Sequence, residues 1–154
     1  MAGTISPATY GFDLLMFKRL VSALVFVFAA CIAFSLPASA EPVRIVAFGD
    51  SLMAGYQLAP GESFPEKLEA ALRANGHDVV IANASQSGDT STGGLARLDW
   101  SVPDDTNGVI LELGANDMLR GTDPKVTEGA LSAIIERLKA RSIPILLAGM
   151  QAAT

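Results

Sequence analysis

Ser51, Gly88 and Asn116 are the residues with which this chain could do chemistry. Ser51 lies in "AFGDSLMAGYQL", residues 47–58, where an apolar run from Val43 to Phe48 stops at Gly49. A serine hydroxyl is a poor nucleophile unless a base sits beside it. Acyl transfer through serine also needs donors aimed at the oxygen that gains charge. Ser51 offers both its hydroxyl and its backbone N–H. Gly88, in "SQSGDTS", has no side chain, so its N–H can approach a substrate closely. Asn116, in "GANDMLRG", offers a side-chain amide. Each has a plainer use. Ser51 could cap the turn after a strand. Gly88 could be a turn residue, and Asn116 could close an Asx-turn. Taken singly, the plain uses are the better reading; taken together, three such loops point to a site.

The elements that must position these loops alternate between strand and helix. Val43–Phe48 reads as the first strand. Ser63-Phe64-Pro65-Glu66 is a capping box with proline near the helix start. Phe64, Leu68, Ala71 and Leu72 then share one helical face, and Asn75-Gly76 stops that helix. Residues 78–84 read as the second strand, and a short helix covers about Gly93 to Asp99. "GVILELG", 108–114, is the third strand, and "ANDMLRG" is its following loop. Asp123-Pro124 opens a helix with Val126, Ala130, Ala133, Ile134 and Leu138 on one face. Residues 143–149 are the fourth strand. Near-continuous apolar strands between helices imply a parallel sheet with helices on both faces. Ligands bind such sheets beyond the carboxyl ends of the strands, where all three loops lie.

The first forty residues have another purpose. Leu20–Leu36 carries no charge, Lys18-Arg19 precedes it, and Ala38-Ser39-Ala40 follows. A basic start, an apolar stretch and an A-x-A site make a secretory signal peptide over residues 1–40. A membrane anchor is the alternative, but a span needs about 20 residues. A signal peptide starting at Met16 has ordinary proportions, so residues 1–15 read as an over-extended start. Cys31, the one cysteine of the chain, falls within this segment. "FAAC" faintly resembles a lipoprotein acceptor site, although the apolar stretch continues beyond it. The expected destination is the periplasm or the outside of the cell, with membrane contact only before cleavage. Residues 1–40 hold Lys18, Arg19 and Asp13, which leaves 9 cationic and 15 anionic residues and a net charge of −6 on residues 41–154. No basic stretch suited to nucleic acid occurs among them. The Gly-rich phosphate loops of nucleotide-binding domains are also missing after the first strand.

Three blocks make a resemblance specific. Gly49-Asp50-Ser51-Leu52 resembles the GDSL block of the SGNH hydrolases. "NASQSGDTSTGGLARL" is similar to their second block, with Gly88 at its glycine. Gly114-Ala115-Asn116-Asp117 resembles their third, G-x-N-D. The likeness covers residues 43–150 and is nearest to the arylesterases and the thioesterase/lysophospholipase branch. It implies a three-layer α/β fold with a doubly wound parallel sheet of flavodoxin-like order 2-1-3-4-5. It implies Ser51 as nucleophile, with the Ser51 N–H, the Gly88 N–H and Asn116 as the oxyanion hole. Asp50, Asp89 and Asp117 would organise the loops by hydrogen bonding. The reaction implied is hydrolysis of small acyl esters or thioesters through an acyl-serine, with no cofactor and no metal.

The resemblance also implies a fourth block, D-x-x-H after a fifth strand, whose histidine is the base and whose aspartate orients it. The 154 residues contain no such block, so the catalytic Asp and His are absent, as are the last strand and helix. The sole histidine, His77, sits before the second strand. A strand of about six residues at roughly 3.3 Å each puts it about 20 Å from Ser51, far beyond the ~3 Å of proton transfer. The chain is therefore expected to be an incomplete and inactive hydrolase domain over 41–154. A non-catalytic acyl- or anion-binding relative on the same fold is the alternative. "DMLRGTDP" is expected to border the pocket, with Met118 and Leu119 either on an acyl chain or packed under the loop.

Overall fold

A computed structural model describes residues 14–33 and 41–150. The chain divides into two units, residues 1–40 and 41–154. In the first, Leu14–Ala33 forms helix α1. No helix among the described residues is long and apolar enough to cross a membrane. The A-x-A residues 38–40 and the segment before residue 14 lie outside the described residues.

The second unit holds strands β1 (Val43–Gly49), β2 (Val79–Asn83), β3 (Gly108–Glu112) and β4 (Ile145–Leu147). They form one sheet in the order β2-β1-β3-β4, and every pairing is parallel. This is the order expected from the resemblance, over the strands described. β1 runs one residue beyond Phe48, to Gly49, whereas β3 and β4 are shorter than their apolar runs suggest, because Leu113 and residues 148–149 leave the ladder to enter loops.

Helices cover both faces. α3 (Phe64–Ala74) lies on one side, and α4 (Ser91–Ser101) and α6 (Pro124–Ala140) lie on the other. Val46, Phe48, Val109 and Leu111 of the sheet meet Leu98 from α4, Val102 just after it, and Ile134 and Leu138 from α6. Ala47, Ile81 and Ile110 point the other way, towards Met53, Leu68 and Leu72. That alternation is the period of two along each strand. The capping box of α3 forms as expected: Glu66 Oε2 accepts from the Ser63 N–H at 3.0 Å and from its hydroxyl at 2.6 Å. These bonds, the hydroxyl's first, hold the Glu66 carboxyl below its ordinary pKa of 4.5. Phe64 and Val126 sit in the first turns of α3 and α6 and stay exposed, beyond the reach of the sheet. α4 runs two residues further at each end than Gly93–Asp99, because Thr90 Oγ1 caps it by accepting from the Gly93 N–H.

α4 approaches the sheet closely because Gly94 has no side chain. A Cβ there would collide with Leu113 Cδ1 and stand 3.3 Å from the Phe48 ring. At the edge of the sheet, β4 exposes Leu146 and Leu147. Among the described residues it pairs only with β3.

Candidate active site

The carboxyl ends of β1, β2 and β3 deliver three loops to one edge of the sheet. The first is a sharp turn from β1 into the one-turn helix α2 (Ser51–Ala54). Asp50, fully buried, caps that helix: its Oδ1 accepts from the Leu52 N–H at 3.0 Å. Ser51 is therefore the first residue of α2, half-buried. The turn is tight against β3. A Cβ on Gly49 would stand 2.7 Å from Glu112 Oε2, 2.7 Å from Met53 Cβ and 2.8 Å from the Glu112 carbonyl. Only glycine fits where the strand ends.

The second loop carries Gly88 at φ +84°, a conformation that disfavours side chains. Its carbonyl accepts from Arg120 Nη2 at 2.7 Å. The third loop begins at Gly114 and enters the short helix α5 (Ala115–Leu119). Neither α2 nor α5 was expected from the sequence; four and five residues are too few to display a helical period.

Asn116 draws the loops together. Its Nδ2 donates to Asp50 Oδ2 at 3.0 Å and to the Asp89 carbonyl at 2.8 Å. One side chain thus links the Ser51 turn, the glycine loop and its own. Both protons of that amide are engaged, so a substrate oxygen must displace one acceptor to receive a bond from it. The N–H groups of Ser51 and Gly88, by contrast, donate to no group among the described residues.

The three aspartates each join elements. Asp50 caps α2 and receives Asn116. Asp117 is buried and accepts from the Ser91 N–H at 2.7 Å, the Ser91 hydroxyl at 2.6 Å and the Thr127 hydroxyl at 3.2 Å. It thereby ties α5 to the starts of α4 and α6. Asp89 meets Arg97 Nε at 2.6 Å.

Arg97 is a residue that the sequence reading missed. It is 6% exposed. Its guanidinium binds Asp89, the Gly49 carbonyl (3.1 Å) and the Ala84 carbonyl (2.5 Å), and lies 4.0 Å from the centre of the Phe48 ring. The available signal was its helical phase: Ser91, Gly94, Arg97 and Leu98 form the buried face of α4. Glu112 was missed as well. It ends β3, 6% exposed, and its Oε2 accepts from the Asp50 N–H at 3.3 Å. Its other oxygen is buried without a partner. Burial first, and then the charge of Asp50, push its pKa above 4.5.

His77 lies at the other end of the sheet. Val43, the first residue of β1, pairs with Val79, two residues beyond His77, whereas Ser51 follows the last residue of β1. The seven residues of β1 at roughly 3.3 Å each separate them by about 20 Å. His77 is exposed and its backbone N–H closes the α3 turn on Leu72. No histidine therefore faces Ser51 among the described residues.

Beside the site, Gly114, Met118, Leu131 and Leu147 line a cavity of about 620 Å³ and an adjoining one of about 490 Å³ that reaches Leu52. Leu119 lines neither and is exposed, so it does not pack under its loop.

Known proteins share sequence and fold with this chain. A family model described as "GDSL-like Lipase/Acylhydrolase family" matches residues 47–154. An arylesterase of Vibrio mimicus is 46% identical over 103 residues, covering 66% of this chain and 52% of that protein. Thioesterase 1/protease 1/lysophospholipase L1 of Escherichia coli (strain K12) is 38% identical over 125 residues, covering 80% of this chain and 57% of that one. The crystal structure of AlinE4, an SGNH-hydrolase family esterase, superposes with a TM-score of 0.71 at 50% identity, over 75% of this chain and 63% of its own. The chain thus spans between half and two thirds of the length of these relatives.

Proposed function

Since the chain belongs to the GDSL-like lipase/acylhydrolase family, we propose that it carries the nucleophile and oxyanion-binding part of a serine esterase acting on small acyl esters or thioesters. Ser51 Oγ attacks the acyl carbonyl. The N–H groups of Ser51 and Gly88 receive the oxygen as it gains charge, and Asn116 Nδ2 joins them by releasing the Asp89 carbonyl. The alcohol or thiol leaves, and water then cleaves the acyl-serine. No cofactor or metal takes part in this scheme. The base is the histidine of an Asp-x-x-His segment, which these 154 residues do not include. The observation that carries the reading is Asn116, whose one amide gathers all three loops beside two free N–H groups.

The apolar cavity lined by Met118, Leu131 and Leu147 suits the acyl portion of the substrate. Lys18-Arg19 and the uncharged stretch after them support export to the periplasm or beyond. Cell fractionation checks that destination; recovery in the cytosol overturns it.

The test of function is hydrolysis of p-nitrophenyl acetate by a chain that includes an Asp-x-x-His segment, with and without Ser51→Ala. Turnover abolished by the substitution supports the reading. Turnover that survives it removes Ser51 from the mechanism. A second reading, an acyl- or anion-binding protein without catalysis, rests on the two N–H donors beside the apolar cavity. Binding of a fatty acid by the 154 residues, with Ser51 unlabelled by a fluorophosphonate even in the longer chain, would establish it.

A further inference from the structure

The fully buried Asp50 and the nearly buried Glu112 meet without a cation between them. Asp50 is 0% exposed and Glu112 6%. None of the ion pairs among the described residues involves either one. The groups around them are accounted for. The β1–α2 turn presents Asp50, and α2 contributes the uncharged Met53. β4 contributes Ile145, Leu146 and Leu147, also uncharged. From α4, Arg97 is engaged by Asp89 and by the carbonyls of Gly49 and Ala84. From α5, Asp117 is saturated by Ser91 and Thr127.

Both oxygens of Asp50 have donors: Oδ1 accepts from the Leu52 N–H and Oδ2 from Asn116. Glu112 has reason to lose its charge. It receives one long backbone bond, and Oε1 receives none. A buried oxygen without a donor costs far less on a neutral acid than on an anion. Two carboxylates side by side in a buried site resolve their repulsion by retaining one proton.

We propose that Glu112 and Asp50 hold one proton between them, and that this singly charged pair keeps the nucleophile turn seated on the end of β3. The proton resides on Glu112 and is donated to Asp50, whose oxygens each have a lone pair to spare beyond the bonds they already accept. Glu112 is then a positioning residue. It touches no substrate and acts through Asp50 on the start of α2. Burial first, and then the charge of Asp50, favour the neutral form of Glu112. Loss of the proton places a second negative charge under the turn and loosens the cap on Leu52. The catalytic meaning of this device rests on Ser51 being the nucleophile; the pair itself does not.

The experiment needs no turnover, so its failure is distinct from failure of the esterase reading. The 154-residue chain is labelled with ¹³C at its Glu and Asp carboxyls and titrated by NMR from about pH 4 to about pH 9, which spans the carboxyl range and well above it. One glutamate is expected to ionise at least about one pH unit later than the rest, a tenfold difference in proton affinity. The late step should vanish in Glu112→Gln and move earlier in Asp50→Asn. The Leu52 amide, which donates to Asp50, should shift with the same midpoint in the unsubstituted protein and stay still in Glu112→Gln. If every glutamate ionises in its ordinary range, no proton is shared and the proposal fails. It fails equally if a late step persists in Glu112→Gln, or if Glu112 titrates late while the Leu52 amide does not respond. The titration of the unsubstituted protein decides the matter even where a variant does not fold.

Discussion

The guanidinium of Arg97 and the carboxylate of Asp89 meet at 2.6 Å, with both side chains about nine-tenths buried. The same guanidinium reaches the Gly49 carbonyl, two residues before Ser51. One cation on α4 therefore sets the spacing between the loop of Ser51 and the loop of Gly88.

Replacing Arg97 with methionine should destabilise residues 41–154 by about 3–5 kcal/mol, because Asp89 is left as a buried charge without its partner. Urea unfolding followed by circular dichroism measures this. Arg97→Lys should recover only part of the loss. An ammonium cannot span Asp89 and two carbonyls while lying flat on Phe48. A change below about 0.5 kcal/mol, the level of an ordinary surface substitution, would contradict the account.

Asn116→Ala removes two hydrogen bonds from the meeting point of the loops. The expected cost is roughly 1–3 kcal/mol, since the Asp50 oxygen and the Asp89 carbonyl lose a donor. In a chain that includes the Asp-x-x-His segment, kcat should also fall about 10²–10³-fold, as for loss of one oxyanion donor. A stability loss with kcat unchanged would confine Asn116 to holding the loops.

The 154 residues alone should hydrolyse p-nitrophenyl acetate no faster than Ser51→Ala of the same chain, because His77 is about 20 Å from Ser51. A colorimetric assay of the two side by side is sufficient. Turnover that depends on Ser51 would mean that some other group serves as base.

Stability should respond to pH in two opposite ways. Glu112 has a raised pKa in the fold. Its contribution is fully present below the ordinary value of 4.5 and declines as pH rises through the folded value. Glu66 has a lowered pKa, held by Ser63. Its contribution is present above 4.5 and is lost as pH falls through the folded value. In thermal melts across pH, Glu112→Gln should flatten the decline above 4.5, and Glu66→Gln should flatten the acid side. If the two substitutions leave the melting profile unchanged, neither carboxyl is linked to folding as described.

Leu146→Lys should raise the soluble yield of residues 41–154 several-fold with little change in melting temperature. Leu146 is 65% exposed on a strand that, among the described residues, pairs on one side only, and charge on such a strand blocks pairing between copies. Size-exclusion chromatography at increasing concentration reads the difference.

Much of this was legible before any coordinates. The parallel sheet with helices on both faces followed from apolar runs separated by helical phases, and its strand order from the resemblance that the three blocks carry. The three polar loops could be assigned to one edge because parallel strands all end on the same side. What escaped notice shares a physical cause. Arg97 and Glu112 are charged, and charge in a sequence reads as surface; only their three-dimensional partners reveal that both are buried. Glu112 was further concealed in "GVILELG", where the apolar neighbours determine the strand. α2 and α5 escaped because a single turn displays no period. Phe64 and Val126 matched the phase of their helices, but phase does not say how far the sheet extends beneath a first turn.

The amide of Asn116 also governs how the edge can open. Asp50, Asp89 and Asn116 belong to three loops but to one knot of hydrogen bonds, so no loop leaves without breaking bonds that hold another. Amide hydrogens at the start of α2 and in the loop of Asp89 should therefore exchange with solvent at a common rate, as a single opening unit, rather than fray one by one in the manner of ordinary surface loops. Edges built from loops are often the loosest part of a fold; this one is laced to the sheet beneath it.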